Sequence, residues 1–129
     1  MRPESTCLPA AGPGPSDRNA KANLAPASGL EILDKVVTLP VSTWNYTTQD
    51  ASVRHIGPTA QDFHTAFGVG EDQRRISTVD ADGVAFAAIQ GLNQKLEARL
   101  QAREREIEAL RERLERLERL VASGDLRCD

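Results

Sequence analysis

Ser16 and Lys21 are the two residues whose types, at this spacing, could make and break a covalent bond. A serine hydroxyl is a weak nucleophile until a base takes its proton, and a lysine can be that base only as the neutral amine. Such a lysine needs its pKa brought from about 10.4 down toward 7 or 8. That is about 4 kcal/mol of disfavoured charge, and it calls for surfaces that exclude water. Geometry sets a second condition. Five residues of extended strand span about 17 Å, and on a helix positions 16 and 21 lie about 140° apart, so neither regular form joins hydroxyl to amine. A turn is needed, and Asp17 and Asn19 are turn-forming residues between the two. A lysine from a neighbouring copy would meet the same condition.

The other chemistry-bearing residues read as structural. His55 and His64 have no carboxylate at ligand spacing, which favours turn or packing roles. Among Asp62, Asp80 and Asp82, the last two are placed to cap a helix. Trp44 and Tyr46 alternate onto one face of a strand and read as core, with a carbohydrate-stacking platform as the alternative. Gly68, Gly70 and Gly83 lack the glycine-lysine-hydroxyl ending of a phosphate loop. Cys7 and Cys128 have no partners at ligand spacing and read as free thiols. No metal and no cofactor is expected.

These residues must be positioned by a small scaffold. Residues 1–15, with four prolines and two glycines, read as a disordered leader. Ser28-Gly29-Leu30-Glu31 has capping-box form, and Leu30, Leu33, Val36 and Val37 predict a helix to about Leu39, stopped by Pro40. Val41 to Thr48 reads as a strand, followed by a turn at Gln49-Asp50 and a partner strand over Val53 to Ile56. Pro58 is suited to the first position of a helix carrying Ala60, Phe63, Ala66 and Phe67, with Gly68 as its stop. Gly68 to Arg75 reads as a loop and Ile76 to Val79 as one more short strand. A helix capped by Asp80 or Asp82 then runs from near Ala81 to Val121, with Gly91 as its one breaker.

That helix, about 60 Å long, is too long for so small a domain to cover. Leu100, Ile107, Leu110, Leu114, Leu117 and Val121 form a heptad seam interrupted by Arg103. Ile89, Leu92 and Leu96 form a run of their own, and the step of four to Leu100 reads as a stutter between the two. With Leu100 at position a, Arg99 faces Glu104, Glu106 faces Arg111 and Arg113 faces Glu118 across a parallel pair, which favours parallel self-association. A lone solvated helix with pairs such as Glu112–Arg116 and Glu115–Arg119 is the competing reading. The expected fold class is α+β, a small mixed helix/strand head followed by a long C-terminal helix forming a parallel coiled coil. The expected units are 1–15 leader, 16–92 head, 93–122 coiled coil and 123–129 disordered tail.

Composition narrows the partners. One Trp, one Tyr and three Phe in 129 residues supply little bulk for a core, so association with copies of itself is expected. A net charge of -3, with the C-terminal arginines matched by glutamates, gives no field for nucleic acid. No signal peptide and no apolar run of membrane-spanning length is present, so no membrane is expected and assembly is expected in the cytoplasm.

The opening Ser16-Asp17-Arg18-Asn19-Ala20-Lys21, with Leu39-Pro40-Val41-Ser42-Thr43-Trp44-Asn45-Tyr46 and Arg54-His55-Ile56-Gly57-Pro58 after it, resembles a known pattern. It is similar to the C-terminal intramolecular chaperone domain of phage tail spikes and bacterial fibre proteins, the endosialidase-type self-cleaving serine peptidase family. The resemblance runs from Ser16 to about Leu92. It implies Ser16 as nucleophile, Lys21 as general base, cleavage of the Pro15–Ser16 bond, a homotrimer, and an upstream spike or fibre client destined for a virion or cell surface. Ala20 stands where the family pattern has leucine, which leaves the lysine a less apolar surrounding. With only fifteen residues ahead of Ser16, the rival expectation is a catalytically inert coiled-coil oligomerisation module or a phage-derived remnant.

Overall fold

The computed structural model describes residues 15–124. All but the last residue of the expected leader, Cys7, Cys128 and the end of the expected tail lie outside the described residues. A single 3-10 turn, Arg18–Ala20, precedes α1 (Gly29–Thr38), β1 (Ser42–Trp44), β2 (His55–Gly57), α2 (Ala60–Phe67) and α3 (Thr78–Ala122). This is a two-stranded antiparallel sheet with helices and one long C-terminal helix.

Local chemistry explains most boundaries. Ser28 Oγ accepts from the Glu31 N–H at 3.4 Å and starts α1, and Leu39 leaves the helix in an extended conformation just before Pro40. Thr59 Oγ1 accepts from the Asp62 N–H at 3.1 Å and caps α2, so that helix begins at Ala60 and Pro58 stands outside it. Gly68 closes α2 at φ 63, a left-handed cap that glycine takes without a Cβ clash. The expected strand at Ile76 to Val79 does not form. Its last two residues are the first turn of α3, which starts at Thr78 behind Ser77, with Asp80 as the acidic residue of that turn. Asp80 and Asp82 are therefore helical residues; Asp80 favours the helix through its positive end rather than as the cap.

β1 and β2 pair Ser42 with Gly57, Thr43 with Ile56 and Trp44 with His55. The first strand is shorter than its β-branched run because Tyr46 to Gln49 turn back, with the Gln49 N–H donating to the Tyr46 carbonyl at 3.0 Å. Among the described elements, no helix backbone comes close to these strands. A two-stranded sheet alone is marginal in water, and this one exposes Ile56 and Tyr46.

The core sits where α1 meets α2 and α3. Leu33 of α1, Phe63 of α2, and Ala87 and Ala88 of α3 are buried, and Phe63 stacks at 4.9 Å on Phe67. Burying Leu33 and Phe63 contributes about 1.5–3 kcal/mol each. The two helices α1 and α3 approach to backbone contact. A Cβ on Gly29 would stand 2.8 Å from both the Ala87 carbonyl and the Gly91 nitrogen, and one on Gly91 would collide with the Gly29 carbonyl. Gly91 thus breaks nothing: α3 runs through it without interruption, and its missing side chain is what lets α1 in. Lys95 adds an ion pair to Asp34 at 3.7 Å.

α3 has 45 residues, about 67 Å at 1.5 Å per residue. From Leu92 to Gly124 every residue is exposed. Counted in heptads from Leu100, the exposed Val79, Phe86, Ile89 and Leu96 fall on the same a and d positions as the later seam. No stutter is needed between Leu96 and Leu100, because Leu92 belongs to position g and the seam passes through Asn93 instead.

Candidate active site

The segment carrying Ser16 and Lys21 folds by its own short-range bonds. Asp17 Oδ1 accepts from the Asn19 N–H at 2.9 Å, and the Asp17 carbonyl accepts from the Ala20 N–H at 3.0 Å. The Arg18 carbonyl accepts from the Lys21 N–H at 3.2 Å. Asp and Asn make this turn because their short polar side chains can hold backbone donors two residues on. Its consequence is the contact that neither strand nor helix could give: Lys21 Nζ lies 2.9 Å from Ser16 Oγ. Both side chains come from the same chain, so no second copy is needed for the contact itself.

Hydroxyl and amine at that distance are within reach of proton transfer. As an ammonium, a lysine side chain donates to the hydroxyl; as a neutral amine it would accept the hydroxyl proton. Neutral amines are favoured where water is excluded, and here every residue from Pro15 to Ser28 is exposed. Ala20 is exposed with them and contributes one methyl group. Among the described residues, the single chain therefore supplies the pair and its spacing, and no wall around them.

The remaining candidates lie elsewhere. Trp44, Tyr46 and His55 form a three-ring cluster with centroids 4.9 Å apart for Trp44–Tyr46 and Trp44–His55, and 5.3 Å apart for Tyr46–His55. The expected shared face of Trp44 and Tyr46 is present, but it is not core: Tyr46 is 54% exposed because no helix covers the sheet. His55 Nε2 lies 3.0 Å from Gln49 Oε1, which ties the ring to the turn. His64 sits in α2 with Nδ1 buried and without a partner. Asp62 accepts at 2.7 Å from its capping partner Thr59. Gly68 and Gly70 have positive φ and Gly83 is helical, so the three form no common loop.

Two structural features were missed in the sequence. Arg54 spans the hairpin, donating to Asn45 Oδ1 at 3.1 Å and Thr43 Oγ1 at 2.9 Å; the alternation of Thr43 and Asn45 opposite an arginine was the available signal. The Gly29–Gly91 approach had no local signal, because each glycine is explained only by the other.

Among the described residues, no group of three or more His, Cys, Asp or Glu is arranged to hold a metal ion, and no helix is long and apolar enough to cross a membrane. No match was found among curated proteins. Residues 16–68, from the Ser16–Lys21 turn to the glycine that caps α2, match the family described as the chaperone of endosialidase, Peptidase S74, the same family that the Ser16 to Lys21 motif resembles.

Proposed function

We propose that this chain is an intramolecular chaperone that aligns copies of an upstream spike or fibre protein as a trimer and then releases itself by cutting before Ser16. The matched family supports the chaperone role. The observation that carries the cutting is the 2.9 Å approach of Lys21 Nζ to Ser16 Oγ inside the matched segment. In the reaction, Lys21 Nζ takes the hydroxyl proton as Ser16 Oγ attacks the Pro15 carbonyl carbon. The Pro15–Ser16 C–N bond breaks, the Ser16 nitrogen is protonated, and water hydrolyses the resulting ester. Cleavage then awaits assembly, since exclusion of water around the lysine must come from surfaces that the described residues of one chain do not supply.

Self-association is supported by the exposed α3 seam, by a sheet left uncovered in the single chain, and by the charges. The Glu112–Arg116 and Glu115–Arg119 side-chain pairs of a solitary helix are not made; Arg119 Nε donates to the Glu115 backbone carbonyl instead. Mass spectrometry of the purified chain should show loss of residues 1–15, abolished by Ser16→Ala and by Lys21→Ala. The rate should rise with protein concentration, and a fully active monomer overturns the coupling to assembly. The exposure of the pair and Ala20 favour one rival, an inert oligomerisation module. An intact N-terminus in a verified trimer would establish that rival.

A further inference from the structure

α3 presents one unbroken outward seam. Its a and d positions are Val79, Asp82, Phe86, Ile89, Asn93, Leu96, Leu100, Arg103, Ile107, Leu110, Leu114, Leu117 and Val121, while Ala87, Ala88 and Gly91 face α1. Phe86 is 66% exposed and Ile89 63%, so the seam enters the head instead of stopping at its edge. Three polar residues lie on it, Asp82, Asn93 and Arg103, and the last two are each held by an acid of their own helix. Asn93 Nδ2 donates to Glu97 Oε1 at 2.9 Å, and Arg103 Nη1 pairs with Glu106 Oε2 at 2.7 Å.

We infer that this seam binds further copies of the same chain in a single register, and that Asn93 and Arg103 are the residues that select it. The inference rests on the parallel self-association proposed above and adds how that association is aligned. In register, the flanking pairs Arg99–Glu104, Glu106–Arg111 and Arg113–Glu118 are all opposite in charge. A slip of one heptad sets Arg99 against Arg111 and Glu106 against Glu118 on one side. On the other side it sets Glu106 against Glu104 and Arg113 against Arg111. Like charges then forbid that register. Among the described residues, a slip of two heptads restores Arg99 with Glu118 and Arg113 with Glu104 and leaves Glu106 against Glu97 unfavourable. Flanking charge discriminates poorly there, and the polar seam residues take over. In the slipped form Asn93 meets Ile107 or Val79, and Arg103 meets Leu117 or Ile89. Each polar group is then buried against a side chain that cannot bond it. In register, Asn93 meets Asn93, and each Arg103 meets its equivalents with Glu106 already neutralising it.

Alignment matters for the head because Gly29 and Gly91 fix α1 to a set height on α3, and the exposed 15–28 segment leads directly into α1. A two-heptad slip would displace neighbouring heads by about 21 Å along the axis.

The test uses the full chain with Cys7→Ser and Cys128→Ser, spin-labelled at Glu115→Cys, and measures label–label distances in the assembled protein. The parent should give one narrow distance. Adding Asn93→Leu and Arg103→Leu should raise the melting temperature by about 5 °C or more. It should also add a second population at longer distance, from chains displaced axially by about 21 Å, or change the number of copies. One unchanged distance with an unchanged copy number overturns the register role while leaving self-association intact. A monomeric parent in sedimentation overturns self-association itself, and the register inference with it.

Discussion

The Arg18–Ala20 turn takes its hydrogen bonds from residues no more than five positions apart, and every side chain in it faces solvent. The crossing of α1 over α3 joins Gly29 to Gly91 and buries Leu33, Ala87 and Ala88. One region carries the proposed chemistry and is held by itself; the other carries the stability and is held by residues distant in sequence. Only the exposed stretch from Lys21 to Ser28 links them. Because the turn borrows nothing from the core, its chemistry and the stability of the head should be separable by mutation.

Lys21→Ala gives the largest expected effect. It removes the proposed base and should slow cleavage by about 10²–10⁴-fold. It should leave the head's unfolding free energy within about 0.5 kcal/mol of the parent, as for other exposed positions. Thermal melting beside a cleavage time course checks both halves at once. A Lys21→Ala head that melts well below the parent would mean that the turn does brace the core, and the separation would fail.

Gly91→Leu probes the other side of the comparison. Its Cβ would drive into the Gly29 carbonyl, and backbone on both sides leaves no flexible neighbour to give way. A loss of about 1–3 kcal/mol is expected, as for overpacked cores, read as a lower denaturant midpoint. Surface substitutions on the same helix, such as Gln101→Ala, should not move that midpoint. An undisturbed Gly91→Leu midpoint would show that α1 does not lie against α3 in solution.

Legibility in the sequence followed the same division. The cap at Ser28, the stop at Gly68 and the turn demanded between Ser16 and Lys21 all depend on neighbours along the chain, and the residue types announce them. What misled were residues whose state depends on distant partners. Ile76 to Val79 has strand-forming side chains, but Thr78 and Val79 are drawn into α3 as its first turn. Trp44 and Tyr46 have the chemistry of core, yet Trp44 is only half-buried and Tyr46 is exposed, because among the described residues no helix packs on the hairpin. Gly91 looked like a helix breaker until Gly29 was set against it.

The smallest predicted effect sharpens the comparison at a second self-held turn. Asp50 Oδ1 accepts from the Ser52 hydroxyl at 2.6 Å and from the Ser52 N–H at 2.9 Å, and the Asp50 carbonyl accepts from the Val53 N–H at 3.0 Å. The Ser52 hydroxyl, and then the Ser52 amide, favour the ionised carboxylate and hold its pKa below the ordinary 3.8. A folded pKa lower than the unfolded one means that the stabilisation is fully present above the ordinary value. It fades as pH falls through that value toward the depressed one. The group is fully exposed, so the effect belongs to the turn and not to the head. In an NMR titration the Asp50 carboxyl should titrate below the ordinary 3.8, and Ser52→Ala should return it toward that value while the α1–α3 crossing stays folded. If Ser52→Ala leaves the Asp50 midpoint where it was, the hydrogen bonds do not persist in solution, and turns of this kind, the Ser16–Lys21 turn included, need a neighbouring surface to hold them.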